Sequence, residues 1–456
     1  MDVEVLGESP VTDGVTARGT GPVCSHPASV PSVVAGSPAC SRASVYAPGM
    51  PELFSLGRLY PSDFLKPDEQ PRCEPVELKL MFDEESSRVH LAETADDEFM
   101  WGRYWYRSGT NATMTNELAG IVDSITRVKT VEPGDVWLDI ACNDGTLLRH
   151  VPPGVIRIGI DPADDSFLFE SRPNAEEVIQ APFSADVWRS NRGSDRAAVV
   201  TCIAMFYDLA DPKPFLDDVH TVLEDDGLFV MQMSYTPLML RQVAFDNICH
   251  EHVQYYSLNT IEHVLEASGF RIVDCQLNDI NGGSFRVYAM KSDADVTRFG
   301  TQPYRDVCEF RVAALRAHET TTGVNTPEVW IDFFERIEKL KTEVVGFIEA
   351  AKDHGKTVWA YGASTKGNTL LQYFGLDHTM IDAIAERSPY KFGLRTVGTN
   401  IPIVDEIEMR DAQPDYALVL PWHFINEFTH RERDYLEAGG QFIVPCPEFR
   451  IIGADG

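Results

Sequence analysis

The sequence predicts an α/β protein with two doubly wound, largely parallel sheets and a small module ahead of the first. Three observations predict it. Short apolar, β-branched runs alternate with helical patterns from about residue 113 onward, the pattern of strand–helix–strand units covered on both faces. Leu138-Asp139-Ile140-Ala141-Cys142-Asn143-Asp144-Gly145 reads as a strand entering a tight acidic turn. A second strand–turn–helix follows downstream at Tyr361-Gly362-Ala363-Ser364-Thr365-Lys366-Gly367.

In chain order, residues 1–45 are rich in Gly, Pro, Ser, Val and Ala without periodicity, which predicts a disordered or weakly ordered leader. Residues 46–110 form a small module with strand-like pieces at Val76–Leu80 and Arg88–Leu91. Residues 111–295 carry the first sheet: a helix from about Thr113 to Val128, then strands at Val136–Ala141, Val155–Ile160, Ala198–Ala204 and Leu228–Met233. A helix at Pro214–Leu223 connects two of them, Ile261–Ser268 is helical, and Arg271–Leu277 and Ser284–Met290 close the unit. Residues 296–456 begin with helical patterns at Asp306–His318 and Pro327–His354. Strands Thr357–Tyr361, Met380–Ala385, Tyr416–Leu420 and Gln441–Val444 follow.

The chain has 456 residues, enough for about two to three domains, and a formal net charge of −31 spread along its length. That charge argues against nucleic acid or an anionic membrane as partner, and an anionic substrate must be met by a few local cations. The acidic start Met1-Asp2-Val3-Glu4 does not read as a signal peptide, and no apolar run approaches the ~20 residues needed to span a bilayer. Nine scattered cysteines fit a reduced, cytoplasmic protein.

In an open α/β sheet the ligand lies beyond the carboxyl ends of the strands. Asp139, the loop Cys142–Gly145 and Asp161 occupy such ends. Gly145 allows close backbone approach, and Asp161 is placed for a ribose diol. Acidic groups there repel phosphate and favour a sulfonium cation, so S-adenosylmethionine fits better than NAD. The plainer alternative is an ordinary turn with solvated aspartates, since Ala141 and Asn143 stand where glycines would sharpen the motif.

Cys249-His250-Glu251-His252-Val253-Gln254-Tyr255-Tyr256-Ser257 gathers two imidazoles, a carboxylate and two phenols, groups that move protons near neutral pH. In an extended segment His250 and His252 share one side and Glu251 takes the other. Paired histidines are also common as structural groups, and no third ligand stands at the spacing a zinc site requires. In the second unit, the amides of the Tyr361–Gly367 turn, with Lys366, Lys391 and Arg395, offer a diphosphate cradle. A plain glycine-rich turn with solvated cations is the alternative.

Several segments together resemble the sugar C-methyltransferases, which methylate a ring carbon of nucleotide-linked 4-keto-deoxysugars. They are Tyr104–Asn111, Leu138–Gly145, Phe245–Ser257, Gly282–Arg286, Tyr361–Asn368, Leu420-Pro421-Trp422 and Phe442–Pro445, spanning about residues 50–452. The resemblance implies a central class I S-adenosylmethionine-dependent methyltransferase sheet, a C-terminal Rossmann-like α/β domain binding nucleotide sugar, and an N-terminal zinc-type module. It implies a cytoplasmic enzyme of deoxysugar or antibiotic biosynthesis, a monomer or weak homodimer, that leaves S-adenosylhomocysteine. It implies a base at His252 or Glu251, with His250, Tyr106 and Tyr255 beside it. The donor would lie on Asp139, Ala141, Asn143, Gly145, Asp161, Pro162 and Ala204. The nucleotide sugar would meet Tyr104, Arg107, Tyr207, Tyr256, Ser284 and Arg286 on one side. On the other it would meet Tyr361, Ser364, Lys366, Asn368, Lys391, Arg395 and Trp422.

Three departures stand out. The zinc module's cysteine pairs fall on Cys40 with Ala43 and on Asp83 with Ser86, so the site is degenerate and no zinc is expected. Met205 stands where many members carry histidine, with Tyr207 as a substitute, and Cys249 stands where a tyrosine often does. Two rival functions follow from the same residues: an epimerase using the same enolate, and a non-catalytic homologue that binds nucleotide sugar.

Overall fold

The computed structural model describes residues 41–42, 50–96, 99–100 and 103–454, all within a unit spanning Pro38–Gly456. The expected leader lies outside the described residues, apart from Ser41–Arg42, which pairs with Thr94–Ala95.

The first sheet runs, from one edge, Glu177–Ile179, Ile156–Ile160, Val136–Ile140, Ala197–Ile203, Leu223–Ser234, Ser284–Lys291 and Phe270–Asn278. The first five strands are parallel, and Ser284–Lys291 is antiparallel to both its neighbours. Val136–Ile140 is buried at every residue, as a parallel strand covered on both faces must be. Helix Ala112–Val128 buries Met114, Leu118, Ile121, Val122, Ile125 and Val128 as one stripe. Asn111 caps that helix, accepting the N–H of Thr113 at 2.7 Å and of Met114 at 3.2 Å. Strand order reverses between Val136–Ile140 and Ala197–Ile203, which opens a crevice beyond their carboxyl ends.

The second sheet runs Ile403–Asp405, Ile384–Glu386, Val358–Tyr361, Tyr416–Val419, Gln441–Val444 and Arg450–Ile452. All are parallel except the last. Helices Gln302–Thr322 and Pro327–Asp353 precede it. The longer one turns Trp330, Phe333, Ile337, Leu340, Val344, Ile348 and Ala351 inward. Strands Ile403–Asp405 and Arg450–Ile452 escaped sequence reading because three residues carry too little periodicity.

A third, antiparallel sheet joins Glu52–Leu59, Val76–Asp83, Arg88–Leu91 and Gln254–Tyr255. Its fourth strand comes from the histidine-rich segment itself. Its Phe54, Leu78, Leu80 and Val89 share one core with Trp330, Phe333 and the second sheet. Asn368 and Arg395, both expected to meet the nucleotide sugar, instead tie the protein together here. Asn368 Nδ2 donates to Ser62 Oγ at 2.8 Å, and Arg395 donates to the Glu69 carbonyl at 2.6 Å and to Asn400 Oδ1. Strand Arg395–Thr396 pairs with Phe64–Leu65.

Asp83 and Ser86 bracket the turn between Val76–Asp83 and Arg88–Leu91. Asp83 accepts hydrogen bonds from Ser86 Oγ and, at 3.0 Å, from the Glu85 N–H. Arg88 Nε donates to Ser86 Oγ at 2.9 Å. With no thiolate and an engaged carboxylate, these positions do not fit zinc; Cys40 and Ala43 lie outside the described residues.

Glu319, 2 % exposed, links helix Gln302–Thr322 to the first sheet. It accepts Tyr235 Oη–H at 2.7 Å and the N–H groups of Leu258 at 2.6 Å and Asn259 at 2.9 Å, at the start of helix Leu258–Glu266. Glu319→Ala leaves these donors without their acceptor, and chemical denaturation should show a loss of roughly 3 kcal/mol or more.

Candidate active site

The chain leaves strand Val136–Ile140 with Ala141 at φ 58° and Asn143 at φ 53°. These are the two positions where glycine would sharpen the motif, and the backbone takes a glycine-like conformation without it. For alanine this costs about 1–2 kcal/mol, and the surrounding bonds enforce it. Ala141 N–H donates to the Ile160 carbonyl at 2.8 Å. Asn143 N–H donates to Asp161 Oδ2 at 2.8 Å, and Ala163 N–H to Asp161 Oδ1 at 2.8 Å. Burial raises the Asp161 pKa. Asp161 thus holds the loop, with exposed Pro162 turning the chain behind it. Ala204 leaves strand Ala197–Ile203 at φ 55°, on the other side of the crevice.

Segment 104–111 lies across this loop. Ser108 N–H donates to Asn143 Oδ1 at 3.1 Å, Asn143 Nδ2 to the Tyr106 carbonyl at 3.0 Å, and Gly109 N–H to Asp144 Oδ2 at 2.7 Å. The segment carries Tyr104, Tyr106 and Arg107. The Arg107 guanidinium lies 4.1 Å from the ring centroids of both Phe167 and Tyr390, and its Nε bonds Glu170 at 3.1 Å. Tyr104 stands within electrostatic reach of Asp208, Glu251 and Asp161.

Two donor-site expectations change. Asp139 accepts Thr201 Oγ–H at 2.6 Å within the sheet, and burial pushes its pKa up to about 7. It faces strand Ala197–Ile203 instead of a ligand. Gly145 at φ 73° makes room for protein, since a Cβ there would meet Ser171 Cα at 2.9 Å.

Between the carboxyl ends of the two sheets lies a cleft with about 170 Å³ of space. Tyr106, Arg107, Thr110, Asn111 and Asn281 line it from the first side. Residues 361–366, Glu386–Ser388, Lys391 and His423 line the second. A much smaller cavity, about 10 Å³, lies beside it, walled by Tyr207, Ser234, Thr236, Met239, Asn247, His252, Gln254 and Tyr255.

The histidine segment is not extended. His252 N–H donates to the Cys249 carbonyl at 3.1 Å, closing a turn. That turn separates the two imidazoles. His250 bonds the Val76 carbonyl through Nε2 at 3.1 Å, and burial pushes its pKa down to about 4. It anchors the segment to the third sheet. His252 bonds the Asn247 carbonyl through Nδ1 at 2.9 Å. A carbonyl only accepts, so Nδ1 carries the proton and Nε2 presents a lone pair. Its ring lies 4.1 Å from that of Tyr207. Burial, and then the charge of Lys366, push its pKa down to about 3. Burial moves half-buried Glu251 the other way, above its usual 4.5. Burial thus disfavours the charged form of both members of the pair. Among the described residues Glu251 Oε2 has no hydrogen-bond partner, nor does Tyr255 Oη.

Several expected substrate contacts point elsewhere. Tyr256 alternates with Tyr255 and packs in the core against Phe206 at 5.5 Å. Arg286 is held by Glu117 at 2.6 Å, Gln232 at 2.9 Å and Ser124 at 3.0 Å. Ser284 donates to the Ile280 carbonyl at 2.9 Å. Tyr361 borders the cleft, but its hydroxyl bonds Glu406 at 2.8 Å, Glu432 at 2.7 Å and Arg431 at 2.8 Å. Trp422 Nε1 donates to Asp246 Oδ2 at 3.2 Å, tying the second sheet's loop to the histidine segment. Ser364 caps helix Thr365–Phe374, accepting Gly367 N–H at 2.9 Å. Lys391 Nζ supports the same turn through the Ala363 carbonyl at 2.7 Å. Lys366 reaches into the first sheet's side, donating to Asn247 Oδ1 at 2.6 Å.

Sequence reading missed Asp208, Asp246, Asn247, Glu386, Arg387 and His423. Glu386 carried a legible signal: it ends the second strand of its sheet, as Asp161 does. Its carboxylate accepts the Ala363 N–H at 2.7 Å, as Asp161 accepts that of Asn143. Exposed Arg387 lines the cleft and has no side-chain hydrogen bond or ion pair among the described residues.

Asp139→Asn tests the buried carboxyl. The wild-type unfolded chain ionises it above about 3.8, the folded chain only above about 7, so wild-type stability falls as pH rises between them. The variant's advantage in Tm over wild type should widen from pH 5 to pH 7 and then level off.

Residues 112–274 match a methyltransferase domain model, and residues 279–447 match the C-methyltransferase C-terminal domain model. The C-methyltransferase NovU of Streptomyces niveus is 30 % identical over 369 residues, covering 80 % of this chain and 85 % of NovU. Among solved structures, the mitomycin 7-O-methyltransferase MmcR aligns at TM-score 0.31 and 14 % identity, over 40 % of this chain and 54 % of that one. Magnesium protoporphyrin IX methyltransferase from Synechocystis aligns at TM-score 0.31 and 12 % identity, over 40 % of this chain and 83 % of that one. No helix among the described residues is long and apolar enough to cross a membrane. By its two domain matches and this relative, the chain belongs to the C-methyltransferase family and uses S-adenosylmethionine as methyl donor.

Proposed function

We propose that the protein methylates a ring carbon of a nucleotide-diphosphate 4-keto-deoxysugar through an enolate. The observation that carries this reading is the Glu251–His252 pair at the seam of two nucleotide-type sheets. One member presents an unpartnered carboxylate oxygen, the other an imidazole held with Nε2 unprotonated. A general base can serve a hydroxyl acceptor as well, but only a carbon acid also needs groups that hold an enolate, which the phenols beside the pair supply.

The acidic crevice fits a cationic donor with ribose hydroxyls. Asp161 and the 141–145 loop would hold the nucleoside. Asp208, whose Oδ1 has no hydrogen-bond partner among the described residues, and Tyr104 would face the positive end. When bound, S-adenosylmethionine would supply the electrophilic methyl group. Segment 104–111 covers the loop and excludes water. Across the cleft, Arg387 and the N-terminus of helix Thr365–Phe374, capped by Ser364 and braced by Lys391, suit the diphosphate. Arg387 takes over the role expected of Arg395. Glu251 is the final seat of the abstracted proton and His252 hands it on. Tyr106 and Tyr255 offer phenolic hydrogen bonds to the sugar. Holding donor and acceptor in a near-attack geometry supplies roughly 7–11 kcal/mol of such a barrier.

The test is incubation with isotopically labelled donor and a panel of thymidine- and other nucleotide-linked ketosugars, read by mass spectrometry. A carbon-bound methyl group is expected; an oxygen-bound methyl group overturns the reading. Deuterium exchange without methyl gain identifies an epimerase. Glu251→Gln should abolish solvent exchange at the acidic carbon, and His252→Ala should lower it, with donor affinity near wild type in both. The exchange rate of wild type should rise with pH through an ionisation above 4.5, because burial raises the Glu251 pKa and only the ionised carboxylate accepts the proton.

A further inference from the structure

We propose that Lys366 is a catalytic residue whose ammonium crosses from the second sheet's turn to hydrogen-bond the sugar's ketone oxygen and neutralise the charge it gains in the enolate. The proposal rests on the enolate reading above. Lys366 opens helix Thr365–Phe374, whose positive end lies at the same place. It lines the main cleft, while its one hydrogen-bond partner among the described residues, Asn247 Oδ1 at 2.6 Å, lines the small cavity with His252 and Tyr255. Asn247 also fixes His252 through its carbonyl, so one residue positions both base and cation.

An ammonium has three donors, and here one is filled. Lys366 forms no ion pair among the described residues; burial lowers its pKa, and Asp246, Glu251 and Asp208 oppose that by favouring the ammonium. Among the described residues Asp208 Oδ1, Asp246 Oδ1 and Glu251 Oε2 of those same groups have no hydrogen-bond partner either, nor does Tyr255 Oη in the small cavity. Unfilled donors facing unfilled acceptors mark a space shaped for a polar ligand. A lysine serving only as an interdomain tie would close on one of those carboxylates.

In the step, the C–H bond α to the ketone breaks and its proton passes to the Glu251–His252 pair. The bonding electrons form the C=C bond, and the carbonyl π pair moves onto oxygen, where the ammonium meets it. Lysine keeps its proton throughout, so it is restored when the C=O bond re-forms. Neutral phenols alone leave that charge uncompensated in a water-poor pocket, which is where a fixed cation acts most strongly.

The test compares wild type, Lys366→Met and Lys366→Arg on a thymidine-diphosphate-linked 4-keto-deoxyhexose. Solvent deuterium exchange, kcat, KM and calorimetric donor affinity are read. Lys366→Met should lower exchange and kcat together by about a hundred- to a thousandfold, with KM and donor affinity near wild type, and Lys366→Arg should recover at least about a tenth of the wild-type rate. Exchange by Lys366→Met within about threefold of wild type overturns the proposal. So does a change confined to KM, which would place Lys366 on the diphosphate, or an arginine variant as inactive as methionine, which would make it a structural tie. Absence of exchange and methylation in wild type removes the enolate reading and this inference with it.

Discussion

The turn Cys249–His252 is the constraint on which the site depends, because all three sheets grip it. The third sheet holds it through His250 on the Val76 carbonyl and through Leu91 N–H on the Val253 carbonyl at 2.9 Å. The first sheet's side holds its far end, where Thr236 N–H donates to the Tyr256 carbonyl at 3.0 Å. The second sheet reaches its near end through Trp422 on Asp246 and Lys366 on Asn247. A loop bearing this many buried polar groups persists only when they are paired from outside. Glu251 and His252 are consequently placed by the tertiary structure as a whole.

That arrangement explains the role of the small antiparallel sheet. It lacks thiolates at positions 83 and 86, where a hydrogen-bonded turn stands instead. Its apolar face joins the core of the second sheet, so packing and strand pairing hold it in register. It then serves as the wall against which the histidine turn is built. A one-residue slip of Gln254–Tyr255 would exchange Tyr255 and Tyr256 between cavity and core.

Electrostatics follow the same division of labour. Most basic side chains lining the cleft are committed to protein: Arg107, Arg431 and Lys391 all have partners. In a chain of net charge −31, the cations left for a ligand are few. Arg387 and Lys366 both line the cleft, and the proposed reaction assigns the first to an anionic tail and the second to a developing oxyanion.

The sequence by itself determined the α/β class, the two acidic or glycine-bearing strand ends, and the presence of a carboxylate–imidazole pair. These depend on local periodicity and on residue chemistry, which a linear reading carries. The alternation that marks Val136–Ile140 and Val358–Tyr361 needs no distant partner to be seen. The tertiary structure decided which groups face the ligand. Only folding shows that Asp139 turns to Thr201, that His250 turns to Val76, and that Arg286 and Asn368 bind protein. Likewise Lys366 reads as a phosphate-loop cation until the two sheets meet and bring Asn247 beneath it. Side-chain direction and partner choice are set by contacts between residues far apart in the chain, and no local pattern records them.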